Sequence, residues 1–167
     1  VDLNNLNKLA KKLIYIHKNL KSNYNKKIFQ PHNFNFIKLR INPYLLELNK
    51  TYPELKKYIN ETVNLLRNNQ HTVIHADFTP KNILVSKNKQ IILDAETANY
   101  GDPSFDIVSL INHLIIKLLF VNKNKKSFAL ALKKIFNTYH SNVTWEEKQD
   151  IIKRSKILLP LMILARV

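Results

Sequence analysis

Between Ile74 and Asp106, polar side chains capable of chemistry interrupt segments that otherwise have the apolar texture of strands. His75 and Asp77 follow Thr72-Val73-Ile74, Asn82 precedes Ile83-Leu84-Val85, and Asp94 follows Ile91-Ile92-Leu93. Short apolar runs bounded by turn residues read as strands, and the turn-like Ser86-Lys87-Asn88-Lys89 predicts that the last two pair as a hairpin. That hairpin would gather Asp77, Asn82 and Asp94 at one end of a small sheet. Such oxygen ligands suit Mg²⁺, which takes one or two carboxylates and fills its other positions with water and phosphate oxygens. The matching chemistry is phosphoryl transfer. There the metal neutralises charge on the moving phosphate while a separate carboxylate orients the attacking hydroxyl and accepts its proton. Asp77 suits the base. Asn82 suits the metal because an amide oxygen coordinates without adding negative charge, and Asp94 suits the bridge from metal to phosphates.

The flanking residues are assigned plainer roles. His75 is expected to steady the loop by hydrogen bonding, not to act as acid or base. Glu96 fits either a carboxylate supporting the substrate side or an exposed loop residue. Asp102 is expected to cap the helix that begins after Pro103. His17, His113 and His140 share no metal-like spacing and read as ordinary helix residues. Trp145 reads as a packing anchor.

Helices must position this segment. Leu3, Leu6, Leu9, Leu13, Ile16 or His17, and Leu20 recur at three- and four-residue steps, predicting an amphipathic helix over 2–20. Residues 22–44 carry Pro31, Pro43 and many asparagines without a clean period, and are expected to be loop with a short helix near Pro43. Thr51, Pro53 and Glu54 form a helix-start signal, followed by a stripe of Leu55, Tyr58, Ile59, Thr62, Leu65 and Leu66 ending near Asn68. Beyond Pro103 the pattern is helical to Phe120, then over 127–139, and again from Trp145 behind a Thr144/Glu147 capping box, with a kink expected at Pro160. Residues 122–126 read as a loop.

Composition narrows the function classes. The 167 residues, 45% of them hydrophobic, suffice for one core, so the chain is expected to be a single domain over 1–167. With no cysteine, disulfides, thiolate catalysis and sulfur-bound metals are excluded, and a reducing cytoplasm is the natural compartment. The longest apolar stretch, Ile107 to Val121, falls short of a span of about 20 residues and is broken by Asn112, His113 and Lys117, so it reads as a buried helix, with no membrane partner. A net charge of +15 would by itself favour polyanions. The basic runs Lys11-Lys12, Lys26-Lys27, Lys123 to Lys126 and Lys133-Lys134 are scattered, however, and Lys, Asn and Ile are abundant throughout, which points to compositional drift and not to a nucleic-acid-binding face.

His75-Ala76-Asp77, four intervening residues, Asn82 and then Asp94 resemble the catalytic and metal-binding loops of the protein-kinase-like fold, in the variant of aminoglycoside phosphotransferases, choline kinases and methylthioribose kinases. Tyr100-Gly101-Asp102-Pro103-Ser104-Phe105-Asp106-Ile107 is similar to the Gly-Asp-Pro segment of that group, which leads into a buried helix. The first helix, closing in Leu13-Ile14-Tyr15-Ile16-His17, resembles the helix placed after the inter-lobe hinge. The resemblance implies an α+β, mostly α, C-terminal lobe with a small β-hairpin carrying the catalytic and metal loops. It implies Asp77 as base, Asn82 and Asp94 as Mg²⁺ ligands handling ATP, and Asp106 as a structural buttress of the catalytic loop. Ala95-Glu96 stand where protein kinases carry Phe-Gly, which argues for a small-molecule acceptor. The only glycine is Gly101, so this chain holds no Gly-rich phosphate loop. The N-terminal nucleotide-binding lobe is therefore expected to be missing, the chain being a fragment that starts at Val1. The expected activity is transfer of the ATP γ-phosphoryl group to a hydroxyl of an amino sugar, amino alcohol or sugar. The alternatives are an inactive kinase-like remnant that acts as a binding module and, further off, a basic nucleic-acid-binding protein.

Overall fold

The computed structural model describes residues 3–86, 89–120 and 125–166. Helix α1 (Leu3–Asn19) buries Leu6, Leu9, Ala10, Leu13 and His17, the face set by its three- and four-residue period. It packs on α7 (Lys125–Ser141) and on the first strand.

Most of 22–44 is helical, in place of the expected loop with a short helix near Pro43, and 29–33 form the turn between its helices. Helix α2 (Asn23–Ile28) is capped by the Ser22 hydroxyl, which accepts from the Asn25 N–H. The single turn α3 (Phe34–Phe36) is capped by Asn33 and runs into a π-helix, Ile37–Leu46, that contains Pro43. The buried residues Phe36, Ile41 and Leu45 recur at five- and four-residue steps, as a wider helix with i→i+5 bonding requires. A search for the α period cannot detect such a stripe. Helix α4 (Leu48–Thr51) follows.

Thr51 ends α4 instead of capping the next helix. Pro53–Leu55 form a 3₁₀ turn, and α5 (Lys56–Asn68) buries Ile59, Thr62, Val63 and Leu66. Tyr58 and Leu65, expected in that stripe, are exposed, and the Tyr58 hydroxyl donates to the Ile157 carbonyl at 3.0 Å. The expected Thr144/Glu147 box is also corrected: α8 (Lys148–Leu164) starts behind Glu147 with no side-chain cap, and it continues through Pro160.

Among the described residues, four short strands form two antiparallel ribbons. β1 (Thr72–Ile74) pairs with β4 (Asn99–Gly101), Thr72 opposite Gly101. β2 (Ile83–Val85) and β3 (Gln90–Ile92) form the expected hairpin, Ile83 opposite Ile92. Its turn residues Lys87 and Asn88 lie outside the described residues, as do 122–124 of the loop expected over 122–126. Because β1 pairs with β4, the candidate loops do not share a sheet. A bond from the Leu93 N–H to the Asn82 carbonyl, 2.9 Å, draws the hairpin's two ends together instead. Gly101 is required by close approach: a Cβ there would lie 2.8 Å from Asn99 Oδ1 and 2.9 Å from Ile74 Cδ1.

Helix α6 (Ser104–Phe120) is the central beam, with every residue from Ser104 to Asn112 buried. It packs against α7 and α8, and its far end emerges at Leu119 and Phe120. Trp145 is buried, in edge contact with the His17 ring. One apolar cluster unites α1, the π-helix, α5, α6, α7 and α8. No helix among the described residues is long and apolar enough to cross a membrane.

Candidate active site

The loop after β1 is shaped by one buried carboxylate. Asp106, in the first turn of α6 and fully buried, accepts from the His75 N–H at Oδ2 and the Ala76 N–H at Oδ1, each at 2.8 Å. His17 Nε2 donates to the same Oδ2 at 3.1 Å, and His17 Nδ1 lies 2.7 Å from the Tyr139 hydroxyl. Ala76 is thereby held at φ 62°, in the left-handed region that favours glycine. His17 thus ties α1 and α7 to the loop. Its buried position opposite Asp106 distinguishes it from an ordinary helix residue, which its spacing alone could not reveal.

His75 bridges the two candidate loops. Its Nδ1 accepts from the Asp77 N–H at 3.2 Å, and its Nε2 donates to the Leu93 carbonyl at 2.9 Å. Thr97 donates its hydroxyl to the His75 carbonyl at 3.1 Å. Both ring nitrogens therefore serve backbone geometry.

Asp77 is 5% exposed. Its Oδ2 receives three donors: the Asn82 amide at 2.8 Å, the Arg40 guanidinium at 2.9 Å and the Lys81 ammonium at 3.1 Å. Burial pushes the carboxyl up. The Lys81 hydrogen bond, the Arg40 charge and the Asn82 hydrogen bond together outweigh it, so the group lies below the ordinary aspartate range and is ionised at neutral pH. Oδ1 accepts no hydrogen bond among the described residues and is the oxygen left for a ligand.

Asn82 closes the 3₁₀ turn Pro80–Asn82 at the head of β2 and donates its amide to both the side chain and the carbonyl of Asp77. With the nitrogen facing Asp77, the amide oxygen turns the other way, as a metal ligand must. Asp94 is exposed, sits at φ 62°, and has no hydrogen-bond or ion-pair partner among the described residues. It is two residues past β3, in the chain that the Leu93 bond fastens to Asn82. An unpaired carboxylate and an outward amide oxygen fit a cation that draws its other ligands from water and phosphate. Among the described residues no group of three or more histidines, cysteines or carboxylates could hold a metal, so a harder-bound, all-protein site is absent there. Glu96 is exposed and its carboxylate is unpaired among the described residues, while its carbonyl accepts from Asn35 at 3.0 Å.

Two cations escaped the sequence reading. Arg40 reaches the site from the π-helix and Lys81 from the turn after Asp77. Only the spacing of Lys81, four residues from a candidate base, could have flagged it. His113, on α6, lies within reach of these charges: burial lowers its pKa, its bond to the Ser109 carbonyl opposes, and the charges of Arg166, Asp77 and Lys81 act more weakly. Asp102 accepts from the Ser104 N–H at 2.9 Å, as a cap does, and also pairs with buried Arg154 of α8 at 2.7 Å. A cleft of about 650 Å³ lies elsewhere, between Lys8, Lys11 and Lys12 of α1 and Lys89 of the hairpin. It includes none of the candidate residues. Charge and geometry, not cavity size, locate this site.

A mostly α lobe with two small ribbons, a carboxylate-fixed loop and an Asp77–Asn82 contact within it is consistent with a kinase-like lobe. Residues 24–133 match the model of the phosphotransferase enzyme family, and the chain belongs to that family. It is also similar to the Protein LicA homolog of Mycoplasma capricolum subsp. capricolum, 31% identical over 149 residues, covering 83% of this chain and 59% of the relative. The chain therefore spans 59% of the length of that relative.

Proposed function

We propose that the chain is the catalytic and metal-binding lobe of an ATP-dependent small-molecule kinase, acting on the hydroxyl of an amino sugar, amino alcohol or sugar. The observation that carries this reading is the Asp77–Asn82 contact with its three donors on Oδ2. It fixes a charged carboxylate with one oxygen free. Asp77 Oδ1 would hold the acceptor hydroxyl in line and take its proton, orientation counting for more than basicity in a loose phosphoryl-transfer transition state. Asn82 Oδ1 and Asp94 would hold Mg²⁺, which when bound neutralises phosphate charge. Asp106 buttresses the loop through His75 and Ala76, and Glu96 stands on the acceptor side. In this reading residues 1–167 form one domain, its partner lobe with the phosphate-covering loop belongs to the full-length protein, and the enzyme works in the cytoplasm.

Calorimetry of ATP binding with and without Mg²⁺, on the wild type and on Asn82→Ala/Asp94→Ala, tests the reading. Binding that requires both the metal and the two side chains is expected. Full-length protein that binds ATP equally well without them would place the metal elsewhere.

A further inference from the structure

The two cations on Asp77 are built for different tasks. Arg40 has a 14% exposed side chain and a guanidinium committed three ways: Nε to the Ala76 carbonyl at 2.9 Å, one terminal nitrogen to the Leu39 carbonyl at 2.8 Å, the other to Asp77 at 2.9 Å. It is fixed to the loop it supports. Lys81 has a 65% exposed side chain, and its ammonium has Asp77 Oδ2 as its one partner among the described residues. An exposed lysine pair of this kind contributes about 0–1 kcal/mol, so the ammonium can change partner at small cost. Lysine is also a mobile point charge on a flexible stem, unlike the rigid guanidinium fork.

Geometry then limits where that charge can act. The acceptor hydroxyl must lie about 3 Å from the free oxygen of Asp77, and the reacting phosphorus about 3–3.5 Å beyond it. Both distances are within the sweep of a lysine already touching Asp77. Negative charge in the transition state is spread over the equatorial oxygens of the moving group, at this place.

We propose that Lys81 is a catalytic residue that leaves Asp77 and donates to an equatorial oxygen of the phosphoryl group in transfer, while Arg40 remains as the positioning residue of the base. The inference rests on the phosphotransferase reading above. In the step, the acceptor oxygen bonds to the γ-phosphorus as the bond to the β,γ-bridging oxygen breaks. The electron pair leaves with the diphosphate, and the hydroxyl proton passes to Asp77 Oδ1. Lys81 gives up no proton.

The test is calorimetry on the full-length protein with Mg·ADP alone and with Mg·ADP plus aluminium fluoride, a mimic of the group in flight. Wild type, Lys81→Met and Lys81→Arg are compared, with a melting curve for each. Mg·ADP affinity should agree within about twofold across the three, whereas aluminium fluoride should tighten binding about 100-fold less in Lys81→Met, the size of one lost transition-state donor. Lys81→Arg, keeping the charge, should recover most of the tightening. Turnover should fall in kcat with nucleotide KM little changed. An equal response of wild type and Lys81→Met to the fluoride, none included, would overturn the role of Lys81 and leave the kinase reading standing. Failure of the wild type to bind Mg·ADP would remove the kinase reading and Lys81 with it.

Discussion

At the scale of single residues, charge and donor count separate what holds the loop from what faces a ligand. Asp106 accepts three hydrogen bonds while fully buried, so its replacement strands donors and not merely a charge. Asp106→Asn is instructive because its amide nitrogen must face one of those donors. We expect Asn to cost nearly as much as Ala, about 3 kcal/mol, read from urea unfolding midpoints. A small loss with Asn would mean that the carboxylate charge is dispensable. Asp77→Ala removes the proposed base but leaves Asn82 and Asp94 in place, so turnover should vanish in the full-length protein with nucleotide affinity nearly intact. Near-normal turnover of that variant would refute the base. Asp77, Asn82 and Asp94 could be proposed from sequence because they lie within one short segment and their spacing matches a chemical need. Arg40 is not, since it reaches Asp77 from a helix 37 residues earlier.

At the scale of elements, the sequence reveals periods and hides exceptions to them. Helices α1, α6 and α7 and the β2–β3 hairpin follow from apolar spacing. The π-helix Ile37–Leu46 does not, and neither does β4, whose three residues Asn99, Tyr100 and Gly101 lack the β-branched run of a strand. β4 forms because it covers β1, and its register explains Gly101. A methyl group at 101 would press on the buried Asn99 and on Ile74, which is itself fully buried, so neither can yield freely. Gly101→Ala should therefore destabilise by about 1–3 kcal/mol. The readout is again a denaturation midpoint. If the variant matched the wild type, the β1–β4 ribbon would be more pliant than its contacts imply.

At the scale of the whole molecule, stability should depend on acidity through buried histidines more than through the candidate site. His140 joins α7 to α8, donating from Nδ1 to the Phe136 carbonyl at 2.8 Å and meeting the Ser155 hydroxyl at Nε2, 3.0 Å away. Burial lowers its pKa, the Phe136 carbonyl opposes, and the Lys156 charge adds to the fall, to about 4 from 6.5. The unfolded chain takes up this proton as pH drops through 6.5, while the folded chain refuses it until about pH 4. Between those values the unfolded state binds more protons, so stability is lost as the pH is lowered from 6.5 to about 4, by about 3 kcal/mol in all. His71 and His113 are lowered as well, mainly by burial, and add to the slope in the same direction. Asp77, lowered from 3.8, can matter only in more acid solution, where its protonation removes the stabilisation it gives above that range. Unfolding free energies of wild type and His140→Gln at pH 7 and pH 4.5 isolate the largest part. Glutamine can keep a hydrogen bond to Ser155 without titrating, so the variant should lose markedly less stability on acidification than the wild type. Equal losses would mean that His140 is protonated in the folded state at pH 4.5, and that the α7–α8 contact opens to water more readily than its burial suggests.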